Sequence, residues 1–269
     1  MSAPCFDTVI ISDLHLGSDV SRAKAALRML SGTCFRRLIL LGDIFCDLNF
    51  RRLKKQHWQF LSYIRKLSNP KRGVEVVWVE GNHDQGLSEV MSHLVGIEVF
   101  QQYEWEYAGV RHLAIHGHQF DRFAINNIVL GRFLTTVYLG LQKLDSRHKR
   151  LVRLLERLDT QWLRLSSKVA AGALAYAKAH DVQRIFCGHT HEPMSIACDG
   201  ISYFNTGCWT QPIATYVTVG GEGVVIHEYS ERIDDSHSGE ERSEADWATA
   251  EFADEAGLFG DAEYESVLG

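Results

Sequence analysis

Five short clusters along the chain carry groups that bind metal ions or move protons. They are Asp13-Leu14-His15, Gly42-Asp43, Gly81-Asn82-His83-Asp84, His116-Gly117-His118 and Gly188-His189-Thr190-His191. A lone histidine at a strand end is an ordinary structural residue. Five such clusters meeting in one crevice are different, because desolvated carboxylates and imidazoles are costly unless cations compensate them. The donors are imidazole nitrogens, carboxylate oxygens and one amide oxygen, with no cysteine. That set suits manganese, iron, zinc or a similar divalent ion better than a structural zinc site. It is sufficient for two cations sharing one bridging carboxylate.

The clusters need elements that bring them together. Each follows an apolar run: Thr8–Ser12, Arg37–Leu41, Val74–Val79, Arg111–Ile115 and Gln183–Cys187. Runs of this length, rich in aliphatic and β-branched residues, fit strands buried on both faces. Amphipathic stretches at Ser21–Leu30 and Leu53–Leu67 lie between the early runs and read as helices. Strand and helix in alternation predict βαβ units and an α/β fold. In such sheets the ligand crevice lies beyond the carboxyl ends of the strands, where all five clusters fall.

Asn126 to His180 reads as helical, with Gly131, Gly140 and Gly172 as candidate breaks. It is read as an insertion or cap over the site; helices flanking the sheet are the alternative. Ile201–Phe204, Thr215–Val219 and Val224–Tyr229 read as strands of a second, antiparallel sheet. The expected organisation is one domain over residues 1–229, with the insertion at about 122–180. Residues 230–269 form an acidic tail whose composition predicts flexibility.

The chain has 269 residues, 28 basic and 34 acidic, for a net charge of -6. That balance argues against a nucleic-acid partner, although Arg147–Lys168 is locally basic. The six cysteines form no CxxC pair and are read as reduced thiols of a cytoplasmic protein. No signal peptide and no spanning helix is evident.

Taken in order, the five clusters resemble the calcineurin-like metallophosphoesterases. The resemblance covers about residues 7–210 and implies a sandwich of two mixed β-sheets flanked by helices. It implies that Asp13, His15 and His191 hold one cation and that Asn82, His116 and His189 hold a second, with Asp43 bridging. It also implies that His83 faces the phosphate as the catalytic residue, with Asp84 orienting its ring. Hydrolysis would proceed by attack of a metal-bridging hydroxide on phosphorus, with no covalent phospho-enzyme.

Within that superfamily the chain is most similar to the lipid A pathway branch, the UDP-2,3-diacylglucosamine diphosphatases. The Ile11-Ser12-Asp13-Leu14-His15-Leu16-Gly17 start, the long helical segment and Tyr203-Phe204-Asn205-Thr206-Gly207-Cys208-Trp209 carry that likeness. It implies two divalent cations, manganese foremost, and a phosphorylated small-molecule or lipid-linked nucleotide substrate. It also implies peripheral contact with the inner membrane, with acyl chains taken by apolar residues such as Phe133. His118 and Asn205 are further candidates for substrate contact. The chain departs from that branch at His83, where the branch carries Arg, and at His118, where it carries Asp. Generic phosphodiesterases, nucleases of the same fold and non-catalytic scaffolds are the alternatives.

Overall fold

The computed structural model describes residues 5–86, 96–121 and 165–230. Met1–Ser230 group as one compact unit. Residues 231–269, which include the expected tail, lie outside the described residues, as do Phe133 and most of the expected insertion.

The elements follow the hydrophobic runs. Strand β1 is Phe6–Ile11, helix α1 Ala23–Ser31, β2 Phe35–Leu41, α2 Lys55–Leu67 and β3 Glu75–Val79. Next come β4 (Val99–Phe100), β5 (Gln102–Tyr107) and β6 (Val110–Ile115). Residues 165–179 are helical and are called α3 here. The chain continues through β7 (Arg184–Cys187), β8 (Met194–Cys198), β9 (Ile201–Asn205), β10 (Ala214–Gly220) and β11 (Gly223–Tyr229).

Two mixed sheets form, ordered β11-β10-β1-β2-β3-β4 and β5-β6-β7-β9-β8. β1 to β4 run parallel, with β10 antiparallel to β1 and β11 antiparallel to β10. In the second sheet β6, β7 and β9 run parallel, flanked by antiparallel β5 and β8.

Side chains alternate across a strand, so buried strands feed two cores. Ile10, Ile39, Val77, Val79, Ala114, Phe186 and Phe204 fill the layer between the sheets. Their neighbours Val9, Ile11, Leu38, Leu40 and Trp78 face α1 and α2. Leu113, Ile115, Ile185 and Tyr203 point the other way, toward Ala170, Ala173 and Ala177 of α3. The described end of the expected insertion is therefore a helix covering the second sheet. Gly172, expected as a break, lies inside that helix.

Two further expectations are corrected. The strands at Ile201, Thr215 and Val224 do not share one sheet: β9 joins the second, while β10 and β11 extend the first beside β1. Periodicity reports that a segment is a strand but not which edge it finds. Nor are all six cysteines reduced, because Cys5 and Cys34 form a disulfide. Phe6 pairs with Phe35 in the β1–β2 ladder, which sets the two preceding cysteines side by side, Cα to Cα 4.6 Å. Among the described residues no helix is long and apolar enough to cross a membrane.

Candidate metal centre

The five clusters occupy the loops that leave β1, β2, β3, β6 and β7 at their carboxyl ends. Backbone bonds tie those loops together. Asp13 N donates to Gly42 O, His15 N to Asp43 O and Leu16 N to Ile44 O, at 2.7–3.1 Å. Gly188 N donates to His116 O at 3.0 Å.

Five of the expected ligands adopt left-handed backbone: Asp13 (φ 53°), His15 (48°), Asp43 (52°), His189 (68°) and His191 (59°). That region costs a non-glycine residue of order 1–3 kcal/mol and persists only where surroundings enforce it. Concentration of such residues in one crevice marks a site built for side-chain placement. Gly81 is fixed by the same crowding, since a Cβ there would run into the backbone N and carboxylate of Asp43.

Among the described residues, three groups of donors have their ligating atoms within 4.8 Å of one another: Asp13–His15–His191, His15–Asp43–His83 and Asp43–His116–His189. His191 Nε2 lies 3.1 Å from Asp13 Oδ1 and 3.2 Å from His15 Nε2. His116 Nε2 lies 3.3 Å from Asp43 Oδ2. The His83 Nε2 to Asp43 Oδ2 separation is 3.9 Å.

Both carboxylates divide their work. Asp13 Oδ2 accepts from His189 N (3.1 Å) and Ser12 Oγ, while its Oδ1 is buried without a hydrogen-bond partner. Asp43 Oδ1 accepts from His83 N at 2.8 Å, while Oδ2 faces the imidazoles. His116 is oriented alike: Nδ1 sits 2.9 Å from Leu41 O as donor, leaving Nε2 buried and without a hydrogen-bond partner. The amide oxygen of Asn82 is likewise buried and unpartnered. Unsatisfied buried acceptors are rare because each carries its full desolvation cost. An anionic oxygen, an amide oxygen and an imidazole nitrogen in this state fit divalent cations as the missing partners.

Electrostatics agree. Burial and the neighbouring His191 push His15 down to about 3, so its ring is neutral and able to ligate. Burial disfavours the His116 imidazolium, but the Asp43 carboxylate overrides it and lifts that pKa to about 9. Burial raises Asp13 and Asp43, yet the surrounding histidines hold both below the usual carboxylate range. Bound cations replace protons in such a cluster, so metal uptake and proton release are linked.

The Asp84 carboxylate has other hydrogen-bond partners than the His83 ring that the resemblance implies. Its oxygens accept from Ile44 N (3.0 Å) and Phe45 N (2.9 Å), gripping the loop just beyond Asp43. The His83 ring is instead engaged by Cys46 O, 2.8 Å from Nδ1. Two neighbouring backbone N–H groups outcompete one imidazole for a buried carboxylate. Burial and Asp43 together raise Asp84 to about 7.

Asn205 is also not open to substrate. It is fully buried, its Nδ2 donates to Gly188 O (2.7 Å) and Thr190 Oγ1 (3.0 Å), and Oδ1 accepts from Gly207 N (3.0 Å). Its amide braces the loop that carries His189 and His191. His118 lies beside the cluster, its ring centroid 5.6 Å from that of His116. His112 is a core residue stacked 4.9 Å from Trp105, with Nδ1 2.7 Å from Val110 O. Two residues escaped sequence reading. Ser12 donates to Asp13, and Asp121 lies against His189 with Oδ2 3.4 Å from Nε2. The signal for Asp121 was an acid five residues after His116, close enough to return over the same turn.

The calcineurin-like phosphoesterase superfamily domain profile matches residues 6–232. The UDP-2,3-diacylglucosamine hydrolase of Neisseria meningitidis serogroup A is 26% identical over 242 residues, covering 80% of this chain and 95% of that protein. The protein of the same name from Neisseria gonorrhoeae is 25% identical over the same shares of both chains. Among solved structures, a novel archaeal phosphodiesterase aligns over 82% of this chain and 99% of its own, at 13% identity and a TM-score of 0.45. With the family profile spanning every strand and donor cluster described above, the chain belongs to the calcineurin-like phosphoesterase superfamily as a metal-dependent phosphoester hydrolase.

Proposed function

We propose that the protein hydrolyses a phosphodiester or pyrophosphate bond at two divalent cations, in UDP-2,3-diacylglucosamine or a related nucleotide-sugar or lipid pyrophosphate. One observation carries the dinuclear reading: two donor groups, Asp13–His15–His191 and Asp43–His116–His189, converge with buried unpartnered atoms on Asp13, Asn82 and His116. Asp13, His15 and His191 would hold one cation, and Asn82, His116 and His189 the other. Asp43, which groups with His15 and His83 as well as with His116 and His189, would join them. Bound there, two cations supply Lewis acidity toward phosphoryl oxygens and make water acidic enough to be deprotonated near neutral pH. Manganese is the foremost choice, with iron or zinc as alternatives, because these groups contain no thiolate.

The chain's own groups do the rest. His83 keeps Nδ1 on Cys46 O, so Nε2 is the atom that takes or gives a proton at a phosphoryl or leaving-group oxygen. Asp84 sets the loop from which Asp43 projects. His118 is the candidate substrate contact beside the second group. The names of the Neisseria relatives support the substrate. A lipid-linked substrate goes with a cytoplasmic protein working in peripheral contact with the inner membrane. The net charge of -6 argues against nucleic acid.

The test is hydrolysis of UDP-2,3-diacylglucosamine by manganese-loaded protein, with bis-p-nitrophenyl phosphate alongside. Asp43→Ala and a chelated sample serve as blanks. Fast UMP release that both blanks abolish is the expected result. Cleavage of the generic diester alone retains the metal chemistry and rejects the substrate. Activity surviving in Asp43→Ala rejects the dinuclear reading.

A further inference from the structure

We propose that Asp121 is a positioning residue for the second cation site, accepting a hydrogen bond from His189 Nε2–H so that Nδ1 of that ring is left to ligate. This inference rests on the dinuclear reading above. The Asp121 side chain is 7% exposed and that of His189 11%, with Oδ2 and Nε2 3.4 Å apart. Asp121 belongs to none of the three donor groups, whereas His189 belongs with Asp43 and His116. The carboxylate thus stands behind the ring rather than within the cluster.

A ligand placed this way needs outside support. His189 has left-handed backbone (φ 68°), so no regular strand geometry dictates where its ring points. Its N–H is committed to Asp13. A buried carboxylate on the far nitrogen fixes both the tautomer and the ring plane.

A tight turn holds Asp121 in place. Phe120 N donates to Gly117 O (3.0 Å) and Asp121 N to His118 O (3.1 Å), so the chain after His116 curls into a tight turn. Phe120 anchors that turn on α3. Its ring lies 5.6 Å from that of Tyr176, and a Cβ on Gly172 would stand 2.9 Å from the Phe120 Cβ. The missing side chain at Gly172 is the notch that seats Phe120. Helix α3, the Phe120 turn, Asp121 and His189 form one contiguous support for a ligand that comes from a different strand end.

The experiment is a manganese titration of the full-length protein against a competing chelator, giving ions per chain and the affinity of each step, with thermal midpoints alongside. Wild type should bind two ions. Asp121→Ala should bind the first normally and weaken the second by about 10–100-fold, the range for loss of such an outer partner. Asp121→Asn should stay close to wild type, because its amide oxygen still accepts from Nε2–H. Unchanged affinities in Asp121→Ala would overturn the assignment. So would Asp121→Asn as weak as Asp121→Ala, which would make the carboxylate itself a ligand. Equal weakening of both steps with a lowered midpoint would mark a general structural role and overturn it too. Fewer than two ions in wild type would instead refute the dinuclear reading, and the Asp121 assignment with it.

Discussion

Replacing Asp84 separates two views of the Asn82-His83-Asp84 motif. If Asp84 served to orient the His83 ring, Asp84→Asn would slow turnover and leave stability alone. The geometry says otherwise. Both carboxylate oxygens accept backbone N–H groups, from Ile44 at 3.0 Å and Phe45 at 2.9 Å. Ile44 and Phe45 are 0% and 1% exposed, so water cannot replace the lost acceptor. Hydrogen bonds to a charged group contribute about 1.5–3 kcal/mol each, so at a pH well above 7, where Asp84 is ionised, Asp84→Ala should cost about 3–6 kcal/mol. Asp84→Asn keeps one acceptor and turns an NH2 toward the other N–H, for a loss of about 2–3 kcal/mol. At about 2–4 °C per kcal/mol for a domain of this size, Asp84→Asn should lower the midpoint by roughly 4–12 °C. Because the gripped loop carries Asp43, metal affinity should fall with it. Scanning calorimetry of the metal-free protein, followed by metal titration, checks both. An Asp84→Asn protein with an unaltered midpoint and a large loss of kcat would refute the reasoning and restore the ring-orienting role.

Two other expectations follow from residues away from the cations. His112 is fully buried, and burial pushes its pKa down to about 4 from an ordinary 6.5. As pH falls from about 6.5 to about 4, the unfolded chain takes up this proton and the folded one does not. Stability from the neutral ring is therefore present above that window and lost within it, by about 3 kcal/mol at most. Urea melts of wild type and His112→Gln should show a destabilisation that shrinks from pH 7 to pH 5; a constant difference refutes it. The Cys5–Cys34 link closes a sequence separation of 29 residues. In the chain-entropy account that stabilises by about 3.5 kcal/mol, so a reductant should lower the denaturation midpoint of the oxidised protein. Peptide mapping without reductant should recover the cross-linked pair, and finding both thiols free would reject the link.

Much of the site was legible before any coordinates. Aliphatic runs at Val9, Leu38, Val77, Leu113 and Ile185 fit strands buried on two faces, and with those strands as neighbours the polar clusters at their carboxyl ends converge on one crevice. Donor types at Asp13, His15, Asp43, Asn82, His116, His189 and His191 pointed to manganese, iron, zinc or a similar divalent cation, because ligand chemistry is written in residue identity. What the letters withheld was partnership. Whether β10 pairs with β1 or β9 depends on edges such as Thr8 and Val219, which are far apart in the chain and adjacent only after folding. Cys5 meets Cys34 because parallel register sets Phe6 against Phe35. Asp84 holds Ile44 and Phe45 rather than the next residue's ring, and Asn205 braces a loop rather than facing solvent. Asp121 reaches His189 across 68 residues. Residue type limits what a group can do, and local sequence limits its backbone. Which buried donor each carboxylate or amide satisfies is decided by packing, where the unpaired alternative costs most.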